Sequence, residues 1–389
     1  MVSILAEKYP HIIFRRIWES SNPKMNYLMG QCEALIKAIC NTPILPEHHS
    51  NLLLLSLNKG AQATTAIEGN TLSDKEVELV SEGEKLPPSK EYQEIEVRNI
   101  LEAFNVLLHE VVGEHKSQLI SAQFILRLHK MVGKDLGEHF GAIPGRFREN
   151  NVTVGKYRCP DYQDVPLLVE NLTTWLLSEF NYRSGNQSFR DVVLQAIVTH
   201  VYTEWIHPFG DGNGRTGRLL EFYILLRGKN PDIASHIMSN HYNMTRTEYY
   251  RQIQNAYDKR DLTDFIVYAL QGFKDGLEQT LAAIQKSQLE LTWQKFVYDK
   301  FDDVKMVKKD VFKRKRALML AMPLDRGVSI DELVVVNTKI ARLYATLSER
   351  QVKRDVNEFI QLQLLLKNDD KYFANTPLLK DGYMARHKL

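Results

Sequence analysis

A twelve-residue segment, 207–218, constrains this chain more than any other feature of its sequence. It reads HPFGDGNGRTGR and so combines a histidine, a carboxylate, an amide, two arginines and four glycines. Apolar residues at helical spacing precede it at 188–206 and follow it at 219–226. A plain turn between two core helices needs one or two glycines, without arginines or a histidine. The segment therefore predicts a functional loop between two buried helices.

The glycines of this segment point to an anionic ligand. Glycine lets backbone N–H groups approach phosphate oxygens, and the amino end of the following helix attracts negative charge. Gly212, Gly214 and Gly217 match G-x-G-x-x-G, but a Rossmann site requires a strand before the motif and this sequence predicts a helix there. The lysine spacing of a P-loop is absent. We therefore expect phosphate binding by a different fold.

Length, charge and cysteine content limit the function classes. A chain of 389 residues exceeds one ordinary core, so we expect two or three domains. The formal net charge of +2 gives no global basic field that would attract nucleic acid. Cys32, Cys40 and Cys159 have neither metal-site nor disulfide-framework spacing, which favours a cytoplasmic location. No apolar run approaches about 18 residues, so no membrane span is predicted.

Most of the chain is predicted to be helical. A helix is expected over 51–68, ending at Gly69, and Ser73 with Glu76 forms a capping box that opens the next helix. The alternating stretch 151–155 predicts a short β-hairpin within this helical protein. Residues 316–389 read as three helices followed by a hairpin, the order of a winged helix-turn-helix.

Segment 207–218 resembles the Fic family motif, H-x-F-x-[D/E]-G-N-G-R-x-x-R, at every defined position. The resemblance extends over about residues 1–285. It implies a mainly α fold, with a Fic-type helical core and a small β-hairpin flap at 151–156, to which the element order at the end of the chain adds a C-terminal winged helix-turn-helix domain. The expected divisions are an N-terminal helical region with an inhibitory helix (1–110), the catalytic core (111–285), a helical linker (286–315) and the winged domain (316–389).

The resemblance also implies an activity, the transfer of AMP from ATP to a Ser, Thr or Tyr hydroxyl of a target protein, with release of pyrophosphate. His207 would be the general base, and Asp211 would hold Mg²⁺ against the phosphates. Relatives often form homodimers that modify themselves, so both properties are expected. The residues expected to bind the nucleotide are Gly212, Asn213, Gly214, Arg215, Thr216, Gly217, Arg218 and Tyr250.

Segment 64–69, TTAIEG, resembles the family's inhibitory motif, [S/T]-x-x-x-E-[G/N]. The resemblance implies that Glu68 pairs with Arg218 and keeps ATP in an unproductive pose. Three alternatives stay open. Related kinases carry a lysine where Gly214 stands, so phosphorylation is the lesser alternative, and Glu68 could instead orient a water that removes AMP. The chain could also be a DNA-binding regulator that senses nucleotide, with 348–355 as recognition helix.

Overall fold

The structure is a computed structural model that describes residues 2–184, 187–302 and 309–379. The chain divides into two compact units, 1–282 and 283–389. Each predicted segment has residues outside the described ones, namely 1 of the N-terminal region, 185–186 of the core, 303–308 of the linker and 380–389 of the winged domain.

The first unit is almost entirely helical. Two short strands interrupt the helices and form its hairpin. Its elements are α1 (Val2–Lys8), α2 (Pro23–Asn41), α3 (Pro46–Ala66), α4 (Asp74–Ser81), α5 (Glu91–Leu108), α6 (Ala122–Val132), β1 (Thr153–Val154), β2 (Tyr157–Arg158), α7 (Val165–Phe180), α8 (Phe189–Ile206), α9 (Asn213–Arg227), α10 (Ile237–Met244), α11 (Arg246–Lys259) and α12 (Thr263–Asp302), which continues into the second unit.

Side-chain caps define several helix starts. The Ser73 hydroxyl accepts a hydrogen bond from the Glu76 amide, and the Glu76 carboxylate accepts one from the Ser73 amide. This is the capping box predicted from the sequence, and it opens α4. At the start of α6 and of α8 only the serine side chain forms the cap. The hydroxyl groups of Ser121 and Ser188 each accept one hydrogen bond from a backbone amide of the first helical turn. Local sequence therefore fixes where these helices begin.

Helices α8 and α9 form the centre of the first unit. From Val192 to Ile206 every residue of α8 except Glu204 is buried, and α9 is buried from Asn213 to Leu226. Helices that are buried on all sides form the core of a domain, and the polar residues they carry there need partners. The predicted start of the second helix, Leu219, is wrong by almost two turns, because the glycines that suggested a loop lie within α9.

The hairpin β1–β2 is a minimal two-stranded sheet. Thr153 pairs with Arg158 and Val154 with Tyr157 in antiparallel register, and Gly155 takes a positive φ of 57° in the turn. Glycine adopts that conformation without a steric penalty. The predicted hairpin therefore forms, two residues later than the sequence pattern suggested.

The second unit has its own core and a second hairpin. Within its described part, the end of α12 is followed by α13 (Lys309–Leu320), α14 (Ile330–Val334), α15 (Thr338–Tyr344), α16 (Glu349–Gln361), β3 (Leu365–Asn368) and β4 (Lys371–Ala374). Strands β3 and β4 pair antiparallel, and Val328 makes an isolated bridge to Tyr372.

No helix in the described part of the chain is both long enough and apolar enough to cross a bilayer.

Candidate active site

The loop between α8 and α9 is short and tightly turned. His207 ends α8 in the left-handed conformation, with φ 49° and ψ 61°. This conformation costs a non-glycine residue about 1 kcal/mol, so surrounding contacts must hold it. Gly212 precedes α9 with φ 78°, and a Cβ there would lie 2.9 Å from the Phe140 ring. Conformation and space therefore both require glycine at position 212.

Asn213 closes the loop with its side chain. Its Oδ1 accepts a hydrogen bond from the Phe209 amide at 2.9 Å, and its Nδ2 donates to the Phe209 carbonyl at 3.0 Å. The Phe209 ring is fully buried and stacks on His129, with ring centroids 3.7 Å apart. The Asn213 amide thus shapes the loop, and the backbone around it remains available to a ligand.

His129 supports the loop from α6, and no motif in the sequence indicated it. Its Nδ1 accepts from the Gly145 amide, so Nε2 carries the proton and donates to the Asp211 carbonyl, each at 3.0 Å. Burial lowers the pKa of His129 to about 4. The imidazole therefore stays neutral, as this donor–acceptor pattern requires.

One cavity of about 170 Å³ lies against this loop. It joins the loop to the end of α3, the hairpin and α11. Its lining residues are Glu68, Val154, Glu204, His207, Gly210, Asp211, Gly212, Asn213, Gly214, Arg218, Tyr249 and Tyr250.

Eight of the eleven residues predicted for the site line this cavity, and Arg215, Thr216 and Gly217 do not. The reason is helical geometry. Gly214 and Arg218 are four residues apart on α9 and share one face, whereas the three residues between them point elsewhere. The structure therefore does not bring Arg215 to the cavity wall, where phosphate binding would place it.

Arg218 is paired with Glu68 inside the cavity. Its Nη2 lies 2.5 Å from Glu68 Oε1 and also donates to the Thr64 carbonyl at 2.9 Å. The Arg218 side chain is 1% exposed and that of Glu68 is 31% exposed. Burial opposes the charge of Arg218, but the Glu68 carboxylate outweighs it and raises the pKa of the guanidinium above its usual range. The last turn of α3 and the Glu68 side chain just after it thus occupy the space beside the Arg218 guanidinium.

His207 presents a neutral ring to the same cavity. Burial lowers its pKa to about 4. The ring Nδ1 makes no hydrogen bond within the described residues. A neutral imidazole in a cavity can accept a proton from a bound hydroxyl group.

Arg215 lies behind Asp211. One guanidinium nitrogen donates to Asp211 Oδ1 at 2.8 Å, and another pairs with Glu96 of α5. Asn70 donates to the second oxygen of Glu96 at 3.0 Å. The Gly141 amide donates to Asp211 Oδ2 at 3.2 Å. This chain of contacts holds the Asp211 carboxylate, which is 34% exposed, at the cavity edge.

The sequence reasoning missed Glu204, which also lines the cavity. Glu204 is partly exposed as a residue, but its carboxyl oxygen Oε1 is buried. This burial raises the pKa of the carboxyl group to about 7, although the Arg218 charge acts in the opposite direction. Its position one helical turn before His207 on α8 was a usable signal, because residues three apart share a helix face. Gly210, Val154 and Tyr249 line the cavity as well. Val154 lies in the flap predicted at 151–156, whereas Gly210 and Tyr249 were not among the predicted site residues.

Tyr249 and Tyr250 form the wall of the cavity on α11. Their rings are in contact, with centroids 5.2 Å apart. Tyr249 shares a hydrogen bond of 2.9 Å with His200, whereas Tyr250 donates to the Ile67 carbonyl at 3.3 Å. The predicted Tyr250 therefore contacts the segment that carries Glu68.

The residues present fit a magnesium ion held mainly by a substrate. The described residues contain no group of three or more His, Cys, Asp or Glu side chains that could hold a metal. Mg²⁺ in phosphate sites is bound by one or two carboxylates together with phosphate oxygens and waters. Asp211, partly exposed at the cavity edge, is a carboxylate of that kind.

The larger groove of the second unit has different properties. It measures about 760 Å³ and includes Trp293, Met322 and Leu324 in its lining. Its charged lining residues are Lys286, Glu290 and Asp325. It brings together no histidine, no arginine and no helix amino terminus, so we assign the candidate active site to the cavity beside the loop between α8 and α9.

Comparison with known proteins agrees with this assignment. Residues 119–225 match the family described as Fic/DOC. The chain is 29% identical over 225 residues to protein adenylyltransferase fic-1 of Caenorhabditis elegans, covering 58% of this chain and 41% of that protein. It is 31% identical over 220 residues to protein adenylyltransferase Fic of Aedes aegypti, covering 56% and 40%. The chain thus spans about two-fifths of the length of these curated relatives.

Two solved structures share the fold. A Fic family protein from Desulfovibrio desulfuricans aligns with a TM-score of 0.56 at 20% identity, covering 92% of this chain and 98% of that one. Fic-1 (residues 134–508) from Caenorhabditis elegans aligns with a TM-score of 0.53 at 23% identity, covering 68% and 73%. The predicted mainly α fold with a Fic-type core is confirmed, and segment 119–225, which contains the cavity loop through Arg218, is similar to the Fic/DOC family.

Proposed function

We propose that this chain is a protein adenylyltransferase, which moves AMP from ATP to a hydroxyl side chain of a protein and releases pyrophosphate. One observation carries the proposal. A neutral histidine, a carboxylate, a helix amino terminus and an arginine meet in one cavity, at His207, Asp211, Asn213 and Arg218. The adenylyltransferase relatives, at about 30% identity, support the same reaction.

Each group has a part in the proposed transfer. His207 takes the proton of the attacking hydroxyl as its oxygen bonds to the α-phosphorus, and the bond to the β-phosphate oxygen breaks. Backbone amides at the start of α9 stabilise the charge on the α-phosphate, and Arg218 binds the terminal phosphate. Mg²⁺, when held at Asp211, would neutralise phosphate charge. Tyr250 lies where the adenosine would contact α11.

We also propose that Glu68 restrains this reaction. Its pairing with Arg218 uses the guanidinium that the terminal phosphate needs. The cavity of about 170 Å³ is smaller than the 300–1,000 Å³ typical of small-molecule sites, and the Glu68 carboxylate lies in it. Displacement of Glu68 would therefore free the Arg218 guanidinium for a phosphate and enlarge the cavity available to the nucleotide.

The alternatives are a kinase, an AMP-removing enzyme and a regulator. Gly214 favours adenylylation over phosphorylation because the kinases that this loop resembles carry a lysine at that position, and here a side chain would collide with Glu68 and Arg218. Glu68 retains the chemistry to orient a water, so removal of AMP stays an alternative.

The proposal is tested by labelling purified protein with ATP that carries the label at the α or the γ phosphate, in the presence of Mg²⁺. Glu68→Gly should raise α-label on protein by about tenfold or more. Adding His207→Ala should then lower the rate by at least about a hundredfold. Glu82→Gly, an exposed glutamate just after α4, and His109→Ala, an exposed histidine, are the matched controls.

The outcomes separate the alternatives. Label from the γ position would identify a kinase. Loss of AMP from pre-labelled protein, dependent on Glu68, would identify the reverse activity. The transferase proposal is contradicted if the folded variants take up no label, both when they are incubated alone and when another protein from the same source is added as a target. A labelling rate that depends on protein concentration would support transfer between the protomers of a dimer.

We propose that the second unit is a winged-helix module. Helix α16 is followed by the β3–β4 hairpin, and Val328 adds a bridge to Tyr372. Lys353 on α16 is exposed but pairs with Glu349 at 2.5 Å, which reduces its availability to phosphate. DNA binding is therefore an alternative role for this unit and not the one we propose for the chain. Salt-sensitive retention of a DNA duplex would support it.

A further inference from the structure

A buried arginine lies at the start of the hairpin segment and lacks a carboxylate partner. Arg148 is 7% exposed, and it forms no salt bridge within the described residues. Burial lowers the pKa of its guanidinium. A buried charge is costly unless hydrogen bonds compensate it, so the acceptors around Arg148 define what this residue does.

Three backbone carbonyls surround the Arg148 guanidinium. Its Nε donates to the His207 carbonyl at 2.8 Å, its Nη1 donates to the Asn150 carbonyl at 2.8 Å, and its Nη2 donates to the Pro160 carbonyl. Its backbone amide also donates to the Pro208 carbonyl at 3.0 Å. Asn150 and Pro160 flank the hairpin on its two sides, so one side chain joins both hairpin ends to His207.

Tyr157, on β2, provides a second connection. Its hydroxyl donates to the Trp205 carbonyl in the last turn of α8 at 2.5 Å, and it shares a hydrogen bond of 2.9 Å with His11. The ring of Tyr157 contacts those of His11 and Tyr257. The hairpin segment is therefore attached to the end of α8 and the loop after it at three carbonyls, those of Trp205, His207 and Pro208.

These attachments act where the hairpin meets the cavity. Val154 of β1 lines the same cavity as His207. His207 holds a left-handed conformation that is unfavourable for histidine, and its own carbonyl is the acceptor for Arg148. A shift of the hairpin would break bonds to a buried guanidinium, so the hairpin and the histidine are expected to move together.

On the basis of the proposed AMP transfer, we propose that Arg148 and Tyr157 are positioning residues that fix the distance between hairpin β1–β2 and His207. A target segment that pairs with the hairpin as an added strand would then present its hydroxyl at a set distance from the base. Misplacement of a reacting group by about 1 Å can cost about a hundredfold in rate, so such a tether has a catalytic consequence.

Arg148→Lys and Tyr157→Phe test the tether in the whole 389-residue chain. Lysine keeps the charge but lacks the planar fork that reaches three carbonyls, and phenylalanine removes only the hydroxyl. Arg227→Lys, at a largely buried arginine of α9 that bonds to Gln187 and Gln195, and Tyr27→Phe, at an exposed tyrosine, are the matched controls.

Hydrogen exchange measures the tether without relying on activity. Peptides covering 150–160 and 207–210 should exchange about tenfold faster in Arg148→Lys, and several-fold faster in Tyr157→Phe. Exchange elsewhere, and the thermal unfolding midpoint of Tyr157→Phe, should change little. Hairpin protection equal to that of the parent in both variants would overturn the inference, whether or not the protein transfers AMP.

Labelling measures the catalytic consequence, in the Glu68→Gly background. We expect the self-modification rate to fall about tenfold in Arg148→Lys, with nucleotide affinity within about twofold of the parent and additional acceptor side chains found by mass spectrometry. Unchanged rate and acceptors, despite faster hairpin exchange, would overturn the positioning role. No label in the Glu68→Gly parent would count against the proposed function, and exchange would still decide whether the tether exists.

Discussion

Gly214 allows Glu68 to reach Arg218. A Cβ at position 214 would lie 2.2 Å from Glu68 Oε1 and 2.9 Å from Arg218 Nη1, closer than real Cβ contacts. Both neighbours are ends of flexible side chains, so an added methyl group would push the ion pair apart and leave the backbone in place. The ion pair between Glu68 and Arg218 therefore requires a glycine at position 214.

Gly214→Ala should lower the free energy of unfolding by about 1–2 kcal/mol through overpacking. In a Glu68→Gly background, where the obstructing oxygen is gone, the loss should fall to about 0.5 kcal/mol or less. Urea unfolding of the four proteins measures this coupling. Gly30→Ala is the control because a Cβ at Gly30 meets nothing within 4 Å. Equal losses in both backgrounds would contradict the argument.

Glu221 is a second residue whose surroundings decide its chemistry. It is 1% exposed on α9 and accepts a hydrogen bond from the Tyr242 hydroxyl at 2.9 Å. Burial raises its pKa from 4.5 to about 8. The folded protein therefore holds a proton on this carboxyl that the unfolded chain releases at neutral pH.

Glu221→Gln should increase stability at high pH relative to the parent. A raised folded-state pKa stabilises the fold below pH 4.5, and this contribution is lost as the pH rises toward 8. Glutamine has no such loss, so its advantage should reach about 4 kcal/mol at pH 8.5 and disappear near pH 4. Chemical unfolding across that pH range measures the difference. Glu170→Gln, at an exposed site, should show no such trend.

Among the elements, the end of α3 and the adjoining turn act on α9 through two separate contacts. Glu68 pairs with Arg218, and Asn70 donates to Glu96, which in turn pairs with Arg215. Helix α5 supplies Glu96, so the turn after α3, helix α5 and the first turn of α9 share a buried polar network of Asn70, Glu96 and Arg215. The orientation of Asp211 depends on this network because Arg215 donates to its carboxylate.

Glu96→Gln should lower the free energy of unfolding by about 3 kcal/mol, because it leaves Arg215 buried with half of its charge compensation. Glu102→Gln, on the same helix but in a half-exposed pair with Lys134, should change it by about 0.5 kcal/mol or less. Thermal or chemical unfolding of the two variants measures the contrast. A cost for Glu96→Gln as small as that of Glu102→Gln would show that the network is not maintained.

At the scale of the molecule, each unit has a hydrophobic core of its own. The core of the second unit contains Trp293 and Phe301 from α12 and Phe359 from α16, each at most 1% exposed. The first unit is built around α8 and α9. Two cores of this kind favour two cooperative units of unfolding.

Phe359→Ala should destabilise the second unit by about 3–5 kcal/mol, through the cavity it creates. Hydrogen exchange should rise across 309–379 and much less across 187–230. Phe222→Ala, at a residue 1% exposed on α9, should give the reverse pattern. A uniform rise in exchange over the whole chain in either variant would mean that the two cores unfold as one.

The sequence by itself determined what depends on neighbours along the chain. Apolar periodicity and serine caps predicted most helices, including the capping box that opens α4. Alternation and glycine predicted the hairpin, and the spacing within 207–218 predicted the motif. These features follow from backbone sterics and local hydrogen bonds, which are readable from adjacent residues. Local propensity failed at the start of α9, where packing keeps Gly214 and Gly217 helical.

Only the tertiary structure decided which side chains meet. Glu96 and Arg215 are 119 positions apart, and Arg148 lies 59 positions from the His207 carbonyl it contacts. His129 and Glu204 gain their roles and their shifted pKa values from the elements packed around them. Contacts of this kind depend on how helices pack and on the burial that results, and a linear pattern of residue types contains neither.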